Sequence, residues 1–267
     1  MGGKKNVIVF LVSGILFFAT VGELMGGTLQ DVKARGKLIA GVRTDFPPMG
    51  FVDKEGMNKG LDIDIAKFLS KRLFGKEEAV DFVTVTAGNR IHFLTSGKVD
   101  ILLASMTITE ERKRVIDFST PYFISGLLIL VPKNSRVKKY EDLAGKKVAT
   151  VVGTTGDKAI KELVPTADRI QFQRNPEALK ALLDGRADAF VQDDVLLIEM
   201  EEKNPKLKMA NWKPFRPAYY GLGVRKGDEK WLNFVNASLR EMKKSGEYEK
   251  LLEKWFGRAR ALLLKVE

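Results

Sequence analysis

Two stretches of this chain share one layout. Gly97-Lys98-Val99-Asp100 and Gly185-Arg186-Ala187-Asp188 each follow a leucine three residues back, Leu94 and Leu182, and each leads into a short apolar run. Eight residues past the glycine stands a polar side chain, Ser105 in the first stretch and Asp193 in the second. A second echo precedes them: Arg35-Gly36-Lys37 opens one apolar strand and Ala144-Gly145-Lys146 opens another. A chain that begins each half with a Gly-Lys strand, and later repeats a Gly-basic-x-Asp strand, has duplicated an architecture. That points to two halves of similar build.

The segments between these strands give the class. Short apolar runs alternate with amphipathic stretches, the pattern of parallel strands joined by helices, so an α/β fold is expected. Strands are predicted over 37–42, 80–85, 101–104, 127–131, 147–151 and 189–191. Helices are predicted over 61–73, 90–94, 155–163, 177–183, 196–202, 231–245 and 247–256, the last two separated at Gly246. Two stretches, 122–128 and 219–224, each carry an aromatic beside a glycine (Gly126, Gly221) and are expected to cross between the halves. The organisation is then a leader over 1–27, lobe one over 28–124, lobe two over 125–220, and a return to lobe one over 221–267. Ligands of open parallel sheets sit beyond the carboxyl ends of the strands. Ser105 and Asp193 are therefore placed to meet a molecule held between lobes.

Composition removes several classes of chemistry. Lys4 and Lys5 precede an apolar run over 7–19, with small residues at Gly22, Gly26 and Gly27, which reads as a secretory signal. The run is shorter than the roughly 20 residues of a spanning helix, so an uncleaved anchor is the lesser alternative, and a periplasmic location is expected. Cysteine is absent, which excludes disulfides, thiolate metal sites, a cysteine nucleophile and a lipidated cysteine. The single histidine, His92, would have to carry any Ser-His-Asp centre or histidine metal cluster alone. No metal or cofactor is expected. The net charge of +11 favours anionic partners, but export, and the lack of a helix-turn-helix or aromatic-basic RNA motif, argue against nucleic acid. Lys67, Lys71, Lys243 and Lys250 read as solvated helix surface.

The stretch from Ser105 to Phe123, SMTITEERKRVIDFSTPYF, concentrates the chemistry. Thr109 with Glu110 and Glu111 makes a helix start, and Arg112 follows in its first turn. A cation at the positive end of a helix is locally unfavourable and calls for an anion. An arginine fork takes a carboxylate through two parallel charge-assisted bonds, with the Ser105 and Thr107 hydroxyls and nearby amides to complete the grip. A pair between Arg112 and Asp117, or a surface glutamate, accounts for the spacing equally well.

These residues have a familiar order. Ser105-x-Thr107-Ile108-Thr109-x-x-Arg112 and Asp117-Phe118-Ser119-x-Pro121-Tyr122 are accompanied by Gly60-Leu61-Asp62-Ile63-Asp64, Asp142-Leu143-x-Gly145-Lys146-x-Val148, Gly153-Thr154-Thr155, Ala187-Asp188-Ala189 with Asp193, and Lys254-Trp255-Phe256. Over nearly all of the chain after the leader, the sequence resembles the extracellular solute-binding proteins of polar amino acid uptake ABC transporters. The resemblance implies a class II periplasmic-binding-protein fold with two hinge strands, closing on one amino acid as a monomer and delivering it to an inner-membrane permease without enzymatic activity. In that pattern Arg112 holds the ligand α-carboxylate, helped by Thr107 and by amides near Ser105 and at Thr154 and Thr155, and Asp193 takes the α-ammonium. A helix starting at Thr154 or Thr155 would offer unpaired amides to an anion; read alone, the segment is an ordinary loop into a helix.

Specificity is expected from three further residues. Arg43 stands where relatives of cationic or amide specificity commonly carry Asp. Arg90, three residues after Ala87, resembles its counterpart in glutamate and aspartate binders, with Phe46 as an apolar wall. Arg43, Arg90 and Arg112 against Asp193 give a site of +2, and unpaired buried charge costs several kcal/mol. An acidic ligand, glutamate or aspartate, is therefore expected, with Asp45 or Asp194 offsetting the remainder. Structural salt bridges are the alternative for Arg43 and Arg90. A neutral ligand such as glutamine, or a cyclohexadienyl or arogenate dehydratase using Asp193 or Asp194 as acid, are the other readings. The tail over 258–267 carries no function legible in its residues.

Overall fold

Gly36 and Gly145, at φ +69° each, turn the chain into the first strand of each half. The computed structural model describes residues 27–257, so the expected leader, apart from Gly27, and the tail lie outside the described residues. In chain order the first half contains α1 (Thr28–Arg35), β1 (Leu38–Val42), β2 (Asp45–Phe46), β3 (Gly50–Val52), β4 (Asn58–Lys59), α2 (Leu61–Phe74), β5 (Val80–Thr84), α3 (Arg90–Thr95), β6 (Ile101–Leu103), α4 (Glu110–Lys113) and β7 (Ile116–Phe118). The chain continues with β8 (Phe123–Pro132), β9 (Lys147–Val151), α5 (Thr155–Leu163), β10 (Asp168–Phe172), α6 (Asn175–Leu183), β11 (Ala189–Asp193), α7 (Asp194–Lys203), β12 (Leu207–Met209), β13 (Phe215–Tyr220), β14 (Gly223–Arg225), α8 (Glu229–Lys244) and α9 (Glu247–Phe256).

The duplicated layout is realised as two sheets with one strand order. The first runs β5-β1-β6-β14-β7 and the second β10-β9-β11-β8-β12, with β13 also pairing β8. In both, the Gly-Lys strand (β1, β9) lies between a strand from the following βα unit and the Gly-basic-x-Asp strand (β6, β11), all in parallel. The repeated glycines adopt φ +76° at Gly97 and +72° at Gly185, a region that a side chain disfavours. The result is the mixed α/β, two-lobed periplasmic-binding-protein fold expected from the sequence.

Two strands cross between the sheets. β8 is longer than the predicted 127–131, because Phe123 to Ser125 pair antiparallel with β13 through Ala218↔Ser125, Tyr219↔Ile124 and Tyr220↔Phe123. Its far half is buried on both faces, Leu128 and Leu130 in one apolar cluster and Ile129 and Val131 in another. That explains an unbroken apolar run in place of alternation. Past Gly221 the return strand β14 enters the first sheet between β6 and β7. α8 and α9 follow, separated at Gly246 (φ +76°) as predicted.

Several elements carry too little apolar signal to be predicted. β2, β3 and β4 form a small antiparallel sheet, and β10, Asp-Arg-Ile-Gln-Phe, is an edge strand with mixed side chains. α6 begins two residues before its predicted start, with Pro176 inside its first turn where its missing N–H costs nothing. α4 is a single turn of four residues. No helix among the described residues is long and apolar enough to cross a membrane.

Candidate functional site

The carboxyl ends of β6 and β11 face the region where the crossing strands meet both sheets. β11 runs to Asp193, two residues beyond its predicted end, and α7 starts at Asp194. These adjacent carboxylates grip different crossing strands. Asp193 accepts from the Tyr220 hydroxyl of β13, and Asp194 accepts from the Ser125 hydroxyl and the Gly126 amide (3.2 Å) of β8. Burial raises the Asp193 carboxyl, opposed by the Tyr220 bond and by Arg90, Arg112 and Arg43 in that order. Burial also lifts Asp194 to about 6.

Arg112 reaches both sheets. The Thr109 hydroxyl caps its short helix by accepting from the Arg112 amide (3.2 Å), as the sequence predicted. The guanidinium donates to the Thr107 carbonyl at 2.6 Å and, across the cleft, to the Gly153 carbonyl at 2.9 Å. Asp117 and Glu111, its alternative partners, are engaged by Lys226 and Lys158. Burial lowers the Arg112 pKa, with Asp193 the foremost opposing charge.

Arg90 is 3% exposed, yet no carboxylate forms an ion pair with it among the described residues. One terminal nitrogen donates to the carbonyls of Ala104 (2.6 Å) and Ser105 (3.4 Å), while its Nε is buried with no acceptor. Burial, then Arg112, then Arg43 push its pKa well below the ordinary value, with Asp193 opposing. Arg43, Arg90, Arg112 and Asp193, far apart in sequence, therefore share one electrostatic neighbourhood.

The other expected residues divide. Arg43 is 2% exposed and is already paired: its Nε and a terminal nitrogen meet one oxygen of Asp45 at 3.0 and 2.7 Å. Its guanidinium carbon lies 5.4 Å from the centre of the buried Phe46 ring. Ser105, at φ +48°, turns its amide (2.9 Å) and hydroxyl (3.3 Å) to Asp62. Those donors are thus occupied within the protein. Thr154 caps α5, accepting from the Asp157 amide and donating to the Val151 carbonyl, and its own amide also meets Val151. Thr155, the first residue of α5, lines a cavity of about 290 Å³ with Thr107, Asp193 and Tyr220.

Two acids matter more than their sequence signal suggested. Asp62, buried at the start of α2, accepts from the Tyr122 hydroxyl (2.6 Å) and from Ser105; burial raises it to about 6, with Arg90 among the opposing influences. Asp45 touches the opposite lobe as well as Arg43, accepting from the Asn175 amide at 3.1 Å. From the sequence, Asp45 was expected only as a charge that could offset the arginines, and Asp62 only as part of a recurring motif. Tyr220 was marked only as part of a crossing stretch.

A fold of two like lobes, joined by paired crossing strands and bringing opposed charges together where they meet, is that of a periplasmic binding protein. The chain belongs to the bacterial extracellular solute-binding proteins, family 3, whose family model matches residues 38–258. Such proteins bind solutes and are not enzymes, and this one is the substrate-binding component of an amino acid ABC importer. It is similar to the ABC transporter glutamine-binding protein GlnH of Bacillus subtilis, 39% identical over 230 residues that cover 85% of this chain and 84% of that protein. The cysteine-binding protein from Campylobacter jejuni superposes with a TM-score of 0.85 at 35% identity, covering 88% of this chain and 94% of that one. A mutant of ArgBP from T. maritima gives a TM-score of 0.82 at 40% identity, covering 86% and 100%.

Proposed function

We propose that the protein holds a polar, uncharged amino acid, with glutamine as the reference compound, between its lobes in the periplasm and presents it as a monomer to an inner-membrane permease. Arg112, the Thr107 hydroxyl and the Thr155 amide receive the α-carboxylate; Asp193 receives the α-ammonium. The side chain extends toward Phe46 and Arg90, whose remaining donors suit an amide oxygen. Lobe boundaries near 124 and 220 fall inside the paired crossing strands, where a hinge between rigid sheets would act.

One observation carries the choice of ligand charge: Arg43, Arg90 and Arg112 share their surroundings with at least as many acids, although among the described residues only Arg43 forms an ion pair with one. Arg43 meets Asp45, while Arg90 and Arg112 lie in the field of Asp193, and Arg90 also lies near Asp62. Asp194 adds negative charge beside Asp193. Near neutral pH this set has no positive excess for a second ligand carboxylate to neutralise. A neutral zwitterion leaves that balance undisturbed, and Arg90, whose buried Nε has no acceptor, would repel a cationic side chain. The similarity to a glutamine-binding protein agrees with this reading.

The acidic ligand expected from the sequence is the second reading, favoured by the proximity of three buried guanidinium groups. Isothermal titration calorimetry at pH 7.5 with glutamine, glutamate, aspartate and lysine separates the two. Glutamine is expected to bind tightest, with micromolar strength corresponding to about 8 kcal/mol. Tighter binding of glutamate or aspartate than of glutamine would transfer the assignment to the acidic reading.

A further inference from the structure

Arg43 was expected to reach the ligand, but two of its three guanidinium nitrogens meet Asp45, and Asp45 continues across the cleft. One oxygen of Asp45 takes the Arg43 bonds; the other accepts from the Asn175 amide (3.1 Å), while the Asn175 side-chain amide donates back to the Asp45 carbonyl (3.2 Å). Asn175 is the first residue of α6, whose cap residue Arg174 supplies no side-chain bond to the helix. A carboxylate from one lobe thus caps a nine-residue helix in the other, where the unpaired amides and the helix dipole favour negative charge.

The connection does not end there. The Gln192 side-chain amide donates to the Asn175 side-chain oxygen (2.9 Å), and the Gln192 oxygen accepts from the Asp193 backbone amide (3.1 Å). Asn175 and Gln192 are fully buried, and the Asp45 side chain is 5% exposed. We propose that Asp45, Asn175 and Gln192 are positioning residues that tie Asp193 to lobe closure, with Arg43 orienting Asp45. The link to Asp193 as the ammonium acceptor rests on the proposed amino acid reading; the link between the lobes does not.

Parting the lobes breaks the bonds to Asn175 but leaves Arg43 paired with Asp45, since both residues belong to the same lobe. The contact therefore stabilises the closed form whichever amino acid is bound. Apparent affinity scales with the fraction of protein in the binding-competent form, so a weakened contact should lower affinity for every ligand by one common factor. A residue that touched the ligand side chain would instead reorder the preferences.

The test uses Asn175→Leu in the full mature chain. Calorimetry with glutamine, glutamate and cysteine should show about tenfold weaker binding of each amino acid that the wild type binds, with rank order preserved. Because the chain has no cysteine, spin labels at Glu55→Cys and Lys180→Cys can report the separation of the lobes, which should shift toward open in the variant without ligand. Asn175→Ala, which loses the same two side-chain bonds without adding bulk, replaces the leucine variant if that one fails to fold; both variants keep the backbone donor to Asp45. Unchanged affinity, a changed rank order, or label distances identical to the wild type would each overturn the proposal. Should the wild type bind no amino acid, the ligand reading fails, while the label distances measured without ligand still decide the interlobe contact.

Discussion

Asp100 and Asp188 make the same pair of backbone bonds in two different sheets. The Asp100 amide donates to the Ile39 carbonyl and its carboxylate accepts from the Ile39 amide, both at 2.8 Å. Asp188 does the same with Lys147, at 2.7 and 2.8 Å. Each aspartate thus ends the ladder between a Gly-basic-x-Asp strand and its Gly-Lys neighbour, which is the physical content of the repeat. Asp100 is buried and also receives Arg35, whereas Asp188 is exposed. Replacement by alanine should cost about 1–3 kcal/mol at Asp100, where buried donors lose their acceptor, and about 0.5–1.5 kcal/mol at Asp188. Urea denaturation of the two variants checks the order; equal losses would contradict it.

The ligand grip predicts unequal effects of conservative changes. Arg112→Lys keeps the charge but loses the fork, so amino acid binding should weaken by about 1.5–3 kcal/mol. Asp193→Asn keeps an acceptor for Tyr220 but removes the counter-charge of the α-ammonium, with a loss of roughly 2–5 kcal/mol. Titration calorimetry reads both, with thermal unfolding as the control for folding.

Ligand preference should depend on pH. Asp62 and Asp194, each raised to about 6 by burial, are mostly ionised at pH 7.5 and mostly protonated at pH 5. Protonation makes the site more positive, while a free glutamate side chain, with a pKa of about 4.3, stays largely ionised at pH 5. Affinity for glutamate relative to glutamine should therefore rise as the pH falls. Calorimetry at the two pH values measures the ratio, and Asp62→Asn should reduce its shift.

Asp194 also makes a stability prediction of definite sign. Its folded-state pKa of about 6 lies above the ordinary 3.8, so its contribution is complete below about pH 4 and is lost as the pH rises through 6. The shift corresponds to about 3 kcal/mol. Asp194→Asn never ionises at this position, so its stability relative to the wild type should improve by up to that amount between pH 4 and 7. A pH-independent difference in chemical denaturation would show that Asp194 titrates normally.

Much of the fold was legible because its signals are local. Apolar runs, Gly-Lys strand starts, the Thr109 cap and the Gly246 break each depend on residues a few positions apart. β10 was not legible because its mixed side chains become a strand only through β9, about twenty residues earlier, and the small β2-β3-β4 sheet was not because its strands are two or three residues long with no apolar alternation. At the site, Asp45 was named as an offsetting charge and a salt bridge as the alternative for Arg43, and the two residues do pair. That Asp62, 43 residues away, would partner Ser105 had no sequence signal, and it occupies an amide expected to be open.

Sequence alone determined that two lobes of like topology would carry a small set of charged side chains at their strand ends, since backbone propensity and apolar periodicity are encoded within short segments. Only tertiary structure decided the charge a ligand meets. Whether a buried donor stays available or is already satisfied depends on carboxylates brought within 3 Å by the packing of separate strands and helices, as Asp62 is against the Ser105 amide at 2.9 Å, 43 residues away in sequence.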